Sequence, residues 1–130
     1  MFHLDTDTVI FLLRGNEQLS RRLESSLPDV GISTIVLAEL HYGVQSSRSP
    51  VESTARLSFF LRSLRIIDFG KRAAEVYAQI RRSLTSRGRP IGEIDTLIAS
   101  VAVANDAVFV THNNKHYSQV EGLRVVDWLE

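Results

Sequence analysis

An α/β sandwich on a parallel or nearly parallel sheet is the fold class that the sequence predicts. Two observations support it. Short apolar runs suited to strands alternate with longer stretches in which apolar residues recur every three or four positions. The last two runs, Ala107-Val108-Phe109-Val110-Thr111 and Leu123-Arg124-Val125-Val126-Asp127, are compact and apolar, as strands covered on both faces are.

In chain order, Phe2-His3-Leu4 forms a short strand ahead of Asp5. Thr6 or Asp7 then caps a helix carrying Val9, Ile10, Leu12 and Leu13 to Gly15. Leu19, Leu23 and Leu27 recur every fourth residue in a second helix, which Pro28 ends. Val30-Gly31-Ile32-Ser33-Thr34 is the second strand. Helices follow from Ile35 to about Gln45 and from about Pro50 to Leu64, the latter with Leu57, Phe60, Leu61 and Leu64 on one side. Arg65 to Phe69 forms a third strand, and Ala73, Val76, Tyr77, Ile80 and Leu84 make the clearest helical stripe in the chain. After the break Gly88-Arg89-Pro90-Ile91-Gly92, the run Ile94 to Ala104 is apolar enough to be a buried helix. Sites in such sheets lie beyond the carboxyl ends of the strands. That singles out Asp5, the residues from Thr34 onward, Asp68, and Thr111 to Asn114.

At 130 residues the chain fits one domain, 1–130, able to bury about two thirds of its unfolded surface. Its 44% apolar and 23% charged content is that of a soluble globular protein. The absence of cysteine excludes a disulfide framework, thiol catalysis and Cys-ligated zinc or iron–sulfur sites. Asp5 interrupts any signal-peptide pattern, and no apolar run approaches the roughly 20 residues of a membrane span. A cytoplasmic protein with no membrane partner is expected. Fifteen basic residues balance fifteen acidic ones, against a generally basic nucleic-acid coat. The overall balance hides a local asymmetry: Lys71 to Arg89 holds six basic residues against Glu75 alone. An Arg-rich helix suits phosphate contacts, and equally a solvated face.

Three carboxylates stand in apolar company. Asp5 closes the first strand, Glu39 interrupts Ile35-Val36-Leu37-Ala38-Glu39-Leu40, and Asp95 is the sole charge from Ile94 to Ala104. A buried ionised carboxylate costs several kcal/mol unless paired or metal-bound, and no Lys or Arg lies one helical turn from Glu39 or Asp95. Each has an ordinary alternative: Asp5 and Asp95 as helix caps, Glu39 as a solvent-facing side chain. Gathered at one end of one sheet, they form the hard-oxygen set that Mg²⁺ or Mn²⁺ takes. Such an ion can polarise a phosphoryl oxygen and activate water.

Leu4-Asp5-Thr6, Ala38-Glu39-Leu40 ahead of Gly43, and Pro90-Ile91-Gly92-Glu93-Ile94-Asp95-Thr96-Leu97-Ile98-Ala99 together resemble a PIN-domain ribonuclease, with the VapC toxins as the nearest match. Val110-Thr111-His112-Asn113, Gly122-Leu123 and the terminal Asp127-Trp128 extend the resemblance over essentially the whole chain. It implies a PIN-like three-layer sandwich with a central, mostly parallel sheet flanked by helices. It also implies a Mg²⁺- or Mn²⁺-dependent endoribonuclease that cuts RNA, often transfer or ribosomal RNA, and stops translation. Asp5 and Asp95 would ligate metal, Glu39 would complete the acidic pocket, and Asn113 would take a fourth position that is Asp in many relatives. Asp7 stands where the family usually has Asn, and His116 where it is often acidic; both suggest one firmly held ion. Thr6 and Thr111 would neighbour the cluster as caps and strand ends. His112 and His116 would assist protonation or contact RNA, and Arg81, Arg82, Arg87 and Arg89 would contact RNA phosphates or an antitoxin. A cognate VapB-like antitoxin and a homodimer are the implied protein partners. Tyr42, Phe59 and Phe60 are assigned to the core, with a partner contact as the alternative.

Three other readings use the same residues. Asp5-Thr6-Asp7-Thr8-Val9 also resembles the haloacid-dehalogenase phosphatase motif, with Asp5 as nucleophile and Asp7 as acid/base, but Lys71 and Lys115 sit in unsuitable contexts. A receiver domain would use Asp68 and lacks its lysine. A PIN-like module that binds RNA or a partner without cutting is favoured by Asn113 and His116.

Overall fold

The computed structural model describes residues 1–130. Strand β1 (Phe2–Leu4) leads into α1 (Thr6–Leu13) and α2 (Glu17–Ser26), followed by β2 (Val30–Ser33), α3 (Thr34–Gln45) and α4 (Pro50–Leu61). The second half comprises β3 (Arg65–Ile67), α5 (Lys71–Ser86), α6 (Glu93–Ala104), β4 (Val108–Val110), α7 (Asn114–Tyr117) and β5 (Arg124–Val126). Their five strands form one sheet in the order β3-β2-β1-β4-β5, every pair parallel. With right-handed crossovers, the two steps outward from β1 place α1 to α4 on one face. The jump from β3 back across to β4 then places α5 and α6 on the other. The expected α/β sandwich is thus present, with a sheet that is wholly parallel.

The sheet interior is apolar where the pleat demands it. Leu4, Val30, Ile32 and Phe109 are fully buried, and helices contribute Val9, Val36, Val76, Leu84, Ile98 and Ala99 to the same core. Gly31 on β2 is a steric requirement. A Cβ there would lie 2.4 Å from Ile67 Cδ1 and 2.8 Å from the Arg65 carbonyl oxygen, so any side chain would force β2 from β3. Gly92 is a conformational requirement instead: its φ of +97° at the start of α6 belongs to glycine, while the space around it is open.

Several expectations need correction. Of the caps considered for α1, Asp5 is the one used and Thr6 and Asp7 are not, because the Asp5 carboxylate accepts the Thr8 amide. Helix α4 stops at Leu61, and Leu64 packs from the turn beyond it. As an edge strand, β5 is only half covered, with Arg124 exposed. Tyr42 (75% exposed) and Phe59 (72%) lie outside the core on α3 and α4, whereas Phe60 packs partly against it. Short α7, four residues with no apolar period, leaves no helical signal in the sequence. No helix is long and apolar enough to cross a membrane.

Candidate active site

The strand order reverses around β1, so the loops leaving β1 and β4 diverge above neighbouring strands and open a crevice there. Asp5 stands at its base. Its backbone N–H donates to the Val110 carbonyl (3.1 Å), which fixes it against the end of β4. Its side chain is nearly fully buried: Oδ1 accepts the Thr8 amide at 2.8 Å, and Oδ2 accepts the Thr111 hydroxyl at 2.5 Å. Burial pushes this carboxyl above the ordinary Asp value, against the two hydrogen bonds that favour its ionised form; nearby Asp7 adds a smaller push upward.

The other acids arrive from separate helices. Glu39, on α3, is half-buried and accepts the Thr6 hydroxyl through Oε1 at 2.5 Å. Asp95 lies in the first turn of α6, which Gly92 starts, and its Oδ2 is 2.8 Å from His116 Nε2 on α7. With Thr6, Asp7, Asn113 and Tyr117, these three acids line a cavity of about 210 Å³. No Lys or Arg lines it, leaving four carboxylates without a cation. The premise that all three acids are buried holds for Asp5 alone. Glu39 and Asp95 are half-exposed because they face the cavity.

Asn113 joins the cavity from the turn after β4. Its N–H donates to the Thr111 hydroxyl (3.0 Å), so Thr111 links Asp5 to the Asn113 backbone. Both threonines therefore hold carboxylates or backbone at the site, a role beyond capping and strand termination. Tyr117 is the member that sequence reasoning missed. Buried beside Phe109 and His116, it presents its ring to the acidic cavity. Burial first, then the charges of Asp95 and Asp5, push its phenol well above the usual range, so it remains a neutral donor. Its only sequence signal was position, one residue after His116.

The remaining predicted residues lie elsewhere. His112 does not line the cavity; its Nδ1 pairs at 2.7 Å with Oδ2 of Asp127, whose side chain is only 5% exposed. Asp68 does not line it either. Arg81, Arg82, Arg87 and Arg89 are exposed on the last turns of α5 and the turn after it. Arg87 donates to the Gln119 carbonyl (2.6 Å) and Arg81 to the Tyr77 hydroxyl (2.8 Å).

The donor set fits a hard divalent cation. All cavity-lining polar groups are oxygens apart from the Asn113 amide, and the uncompensated charge favours a positive ion. No three His, Asp or Glu side chains close into a ready-made cage. A small ion that keeps several waters and uses one or two carboxylates needs none.

Comparison with known proteins gives a consistent result. The PIN-domain profile matches residues 3–123. The chain is 34% identical over 128 residues to the tRNA(fMet)-specific endonuclease VapC of Salmonella typhimurium, covering 98% of this chain and 97% of that one. It is 40% identical over 131 residues to ribonuclease VapC2 of Rickettsia felis, covering 98% of each. Among solved structures, DNA-bound VapBC from Salmonella typhimurium superposes with a TM-score of 0.95 at 34% identity, covering 98% of this chain and 97% of that one. The Rickettsia felis VapBC2 complex, bound to a promoter DNA fragment, gives 0.93 at 34% identity, covering 98% of both chains. On this evidence of sequence and shape, the chain belongs to the VapC family of PIN-domain ribonucleases.

Proposed function

We propose that this chain is a metal-dependent endoribonuclease toxin that cuts transfer or ribosomal RNA and thereby stops translation. The observation that carries this is the cavity at the sheet's switch point, where Asp5, Asp7, Glu39 and Asp95 meet with no Lys or Arg among them. Asp5 and Asp95 would hold a Mg²⁺ or Mn²⁺ ion, Glu39 would complete the acidic wall, and Asn113 would orient water or a phosphate oxygen. The ion would supply Lewis-acid polarisation of the phosphoryl group and a more acidic water.

The chain's own residues prepare that reaction. Thr8 and Thr111 fix both oxygens of Asp5, and each oxygen keeps further acceptor capacity. Thr6 fixes Glu39 in the same way, so neither carboxylate must reorient when substrate arrives. Tyr117 stays protonated and can donate toward the acidic groups without adding charge.

The unit is taken as one domain over 1–130, cytoplasmic, partnered by a VapB-like antitoxin and by a second copy of itself. Exposed Tyr42, Val51 and Phe59 supply apolar surface for such partners. Two observations favour binding without cutting: His116 occupies an oxygen of Asp95, and Asn113 brings no charge.

An RNA cleavage assay separates these readings. Wild-type and Asp5→Asn protein, folded and free of antitoxin, are incubated with total RNA in magnesium, manganese or chelator. Discrete cuts that need both metal and Asp5 are expected. Absence of cleavage in every condition would leave the binding-only reading standing.

A further inference from the structure

A second cavity adjoins the acidic one across the first turn of α6. Its volume is about 160 Å³, and Tyr77, Arg81 and Thr85 from α5 face Ile91, Gly92 and Glu93 across it. Glu93 and Asp95 are two residues apart, about 3 Å along the helix axis, yet they line different cavities. Successive residues turn by about 100°, so the two side chains point to nearly opposite sides of α6. An occupant of the second cavity lies about one helix diameter, roughly 10 Å, from the acidic centre.

Its lining differs in kind from that of the acidic cavity. Tyr77 offers an aromatic ring and Arg81 a planar guanidinium, its carbon 5.9 Å from the Tyr77 ring centre. Arg81 brings only donors, whereas Glu93 across the cavity brings only acceptors. Their ion pair is long, 3.8 Å, with side chains 61% and 70% exposed, so it adds little to stability and both groups can turn to a ligand. Arg82 stands exposed on the same helix, where a phosphodiester backbone would pass.

We infer that this cavity receives one unpaired nucleobase of the RNA near the cut, stacked on Tyr77 with its edge read by Arg81 and Glu93. Unpaired bases are recognised by aromatic and Arg stacking together with edge hydrogen bonds. A donor-only and an acceptor-only group placed together can read a donor–acceptor pattern on one base edge. The inference rests on the endoribonuclease reading and specifies how that enzyme selects its site.

The test is an abasic scan. An oligoribonucleotide spanning a mapped cut is made with one abasic position at a time, and each is cleaved by wild-type, Tyr77→Ala, Tyr77→Phe and Arg81→Ala protein. With wild type, one position close to the cut should raise KM about tenfold, within what a stacked base contributes. Tyr77→Ala should raise KM similarly for the intact oligonucleotide and abolish the penalty at that position only, with kcat within about twofold. Tyr77→Phe should behave as wild type in KM, and Arg81→Ala should relax the base preference there. Equal penalties in wild type and Tyr77→Ala at every position would overturn the inference while leaving the nuclease intact. So would a Tyr77→Ala effect confined to antitoxin affinity, which would make the cavity a partner's seat. Failure of wild type to cut any RNA would defeat the nuclease reading itself, and the inference with it.

Discussion

His3 and Asp5 lie two residues apart at the end of the same central strand, and both are buried, at 2% and 5% exposure. Their surroundings are opposite. Neither ring nitrogen of His3 has a partner, and burial, aided by the N-terminal ammonium, depresses its pKa to about 4. Both oxygens of Asp5 are hydrogen-bonded, a cavity opens beside it, and burial raises its pKa. Burial alone therefore does not mark a working residue. Partners that hold the charged form and an opening toward solvent do; His3 is a neutral core ring, and Asp5 is a charge held ready for a counter-ion.

The largest expected effect is on the Asp5 side. Asp5→Asn should lower cleavage more than about 100-fold in a single-turnover assay. It should leave metal-free stability unchanged or higher, since Asn caps a helix as well as Asp does. A variant that kept full cleavage would remove Asp5 from the chemistry and erase the distinction from His3.

Stability against pH tests both residues together. The His3 value lies below that of the unfolded chain, so the unfolded state takes up a proton first on acidification. Its contribution is full above pH 6.5 and is lost as pH falls toward about 4, by about 3 kcal/mol. Asp5, with its raised value, runs the other way. Its contribution is full below the ordinary Asp value and is lost as pH rises through the folded value. Urea unfolding from pH 4 to pH 7 should show the His3 slope vanish in His3→Phe. Added Mg²⁺ should relieve the Asp5 loss near neutrality while leaving the His3 slope in place.

A smaller effect is expected from Thr111→Val, which removes the donor to Asp5 Oδ2 and the acceptor of the Asn113 amide. Metal affinity measured by calorimetry should weaken about 10-fold to 100-fold. The smallest change should come from His116→Ala, because that ring is partly exposed and Asp95 stays anchored in α6. Cleavage should shift only several-fold; a loss as large as that of Asp5→Asn would place His116 among the reacting groups.

Much of this was legible in the sequence because the periodicities are strong. The alternation of β1, α1, β2 and α3 followed from short apolar runs and helical spacing, and the three acids in apolar company led to the cavity that Asp5, Glu39 and Asp95 line. What escaped depends on distant pairing. Nothing local in Lys115-His116-Tyr117 shows that α7 folds over the acidic cavity, or that His116 meets Asp95 twenty-one positions earlier. His112 reads as a rim histidine in sequence, yet Asp127, across the β4–β5 connection, draws it away. Tyr42 and Phe59 show the reverse error: both are large and apolar enough for a core, but their helix faces have no element packed over them.

The glycine that opens α6 has a consequence for how such a protein can diversify. Gly92 sets the direction of the whole first turn, and that turn sends Asp95 to one cavity and Glu93 and Thr96 to the other. Chemistry and target choice are thereby cut from one rigid block. A change in its geometry would move the cutting centre and the base-reading wall as one. Drift toward a new RNA is left to the opposite wall, where Tyr77, Arg81 and Thr85 of α5 can be exchanged without moving any carboxylate of the acidic cavity.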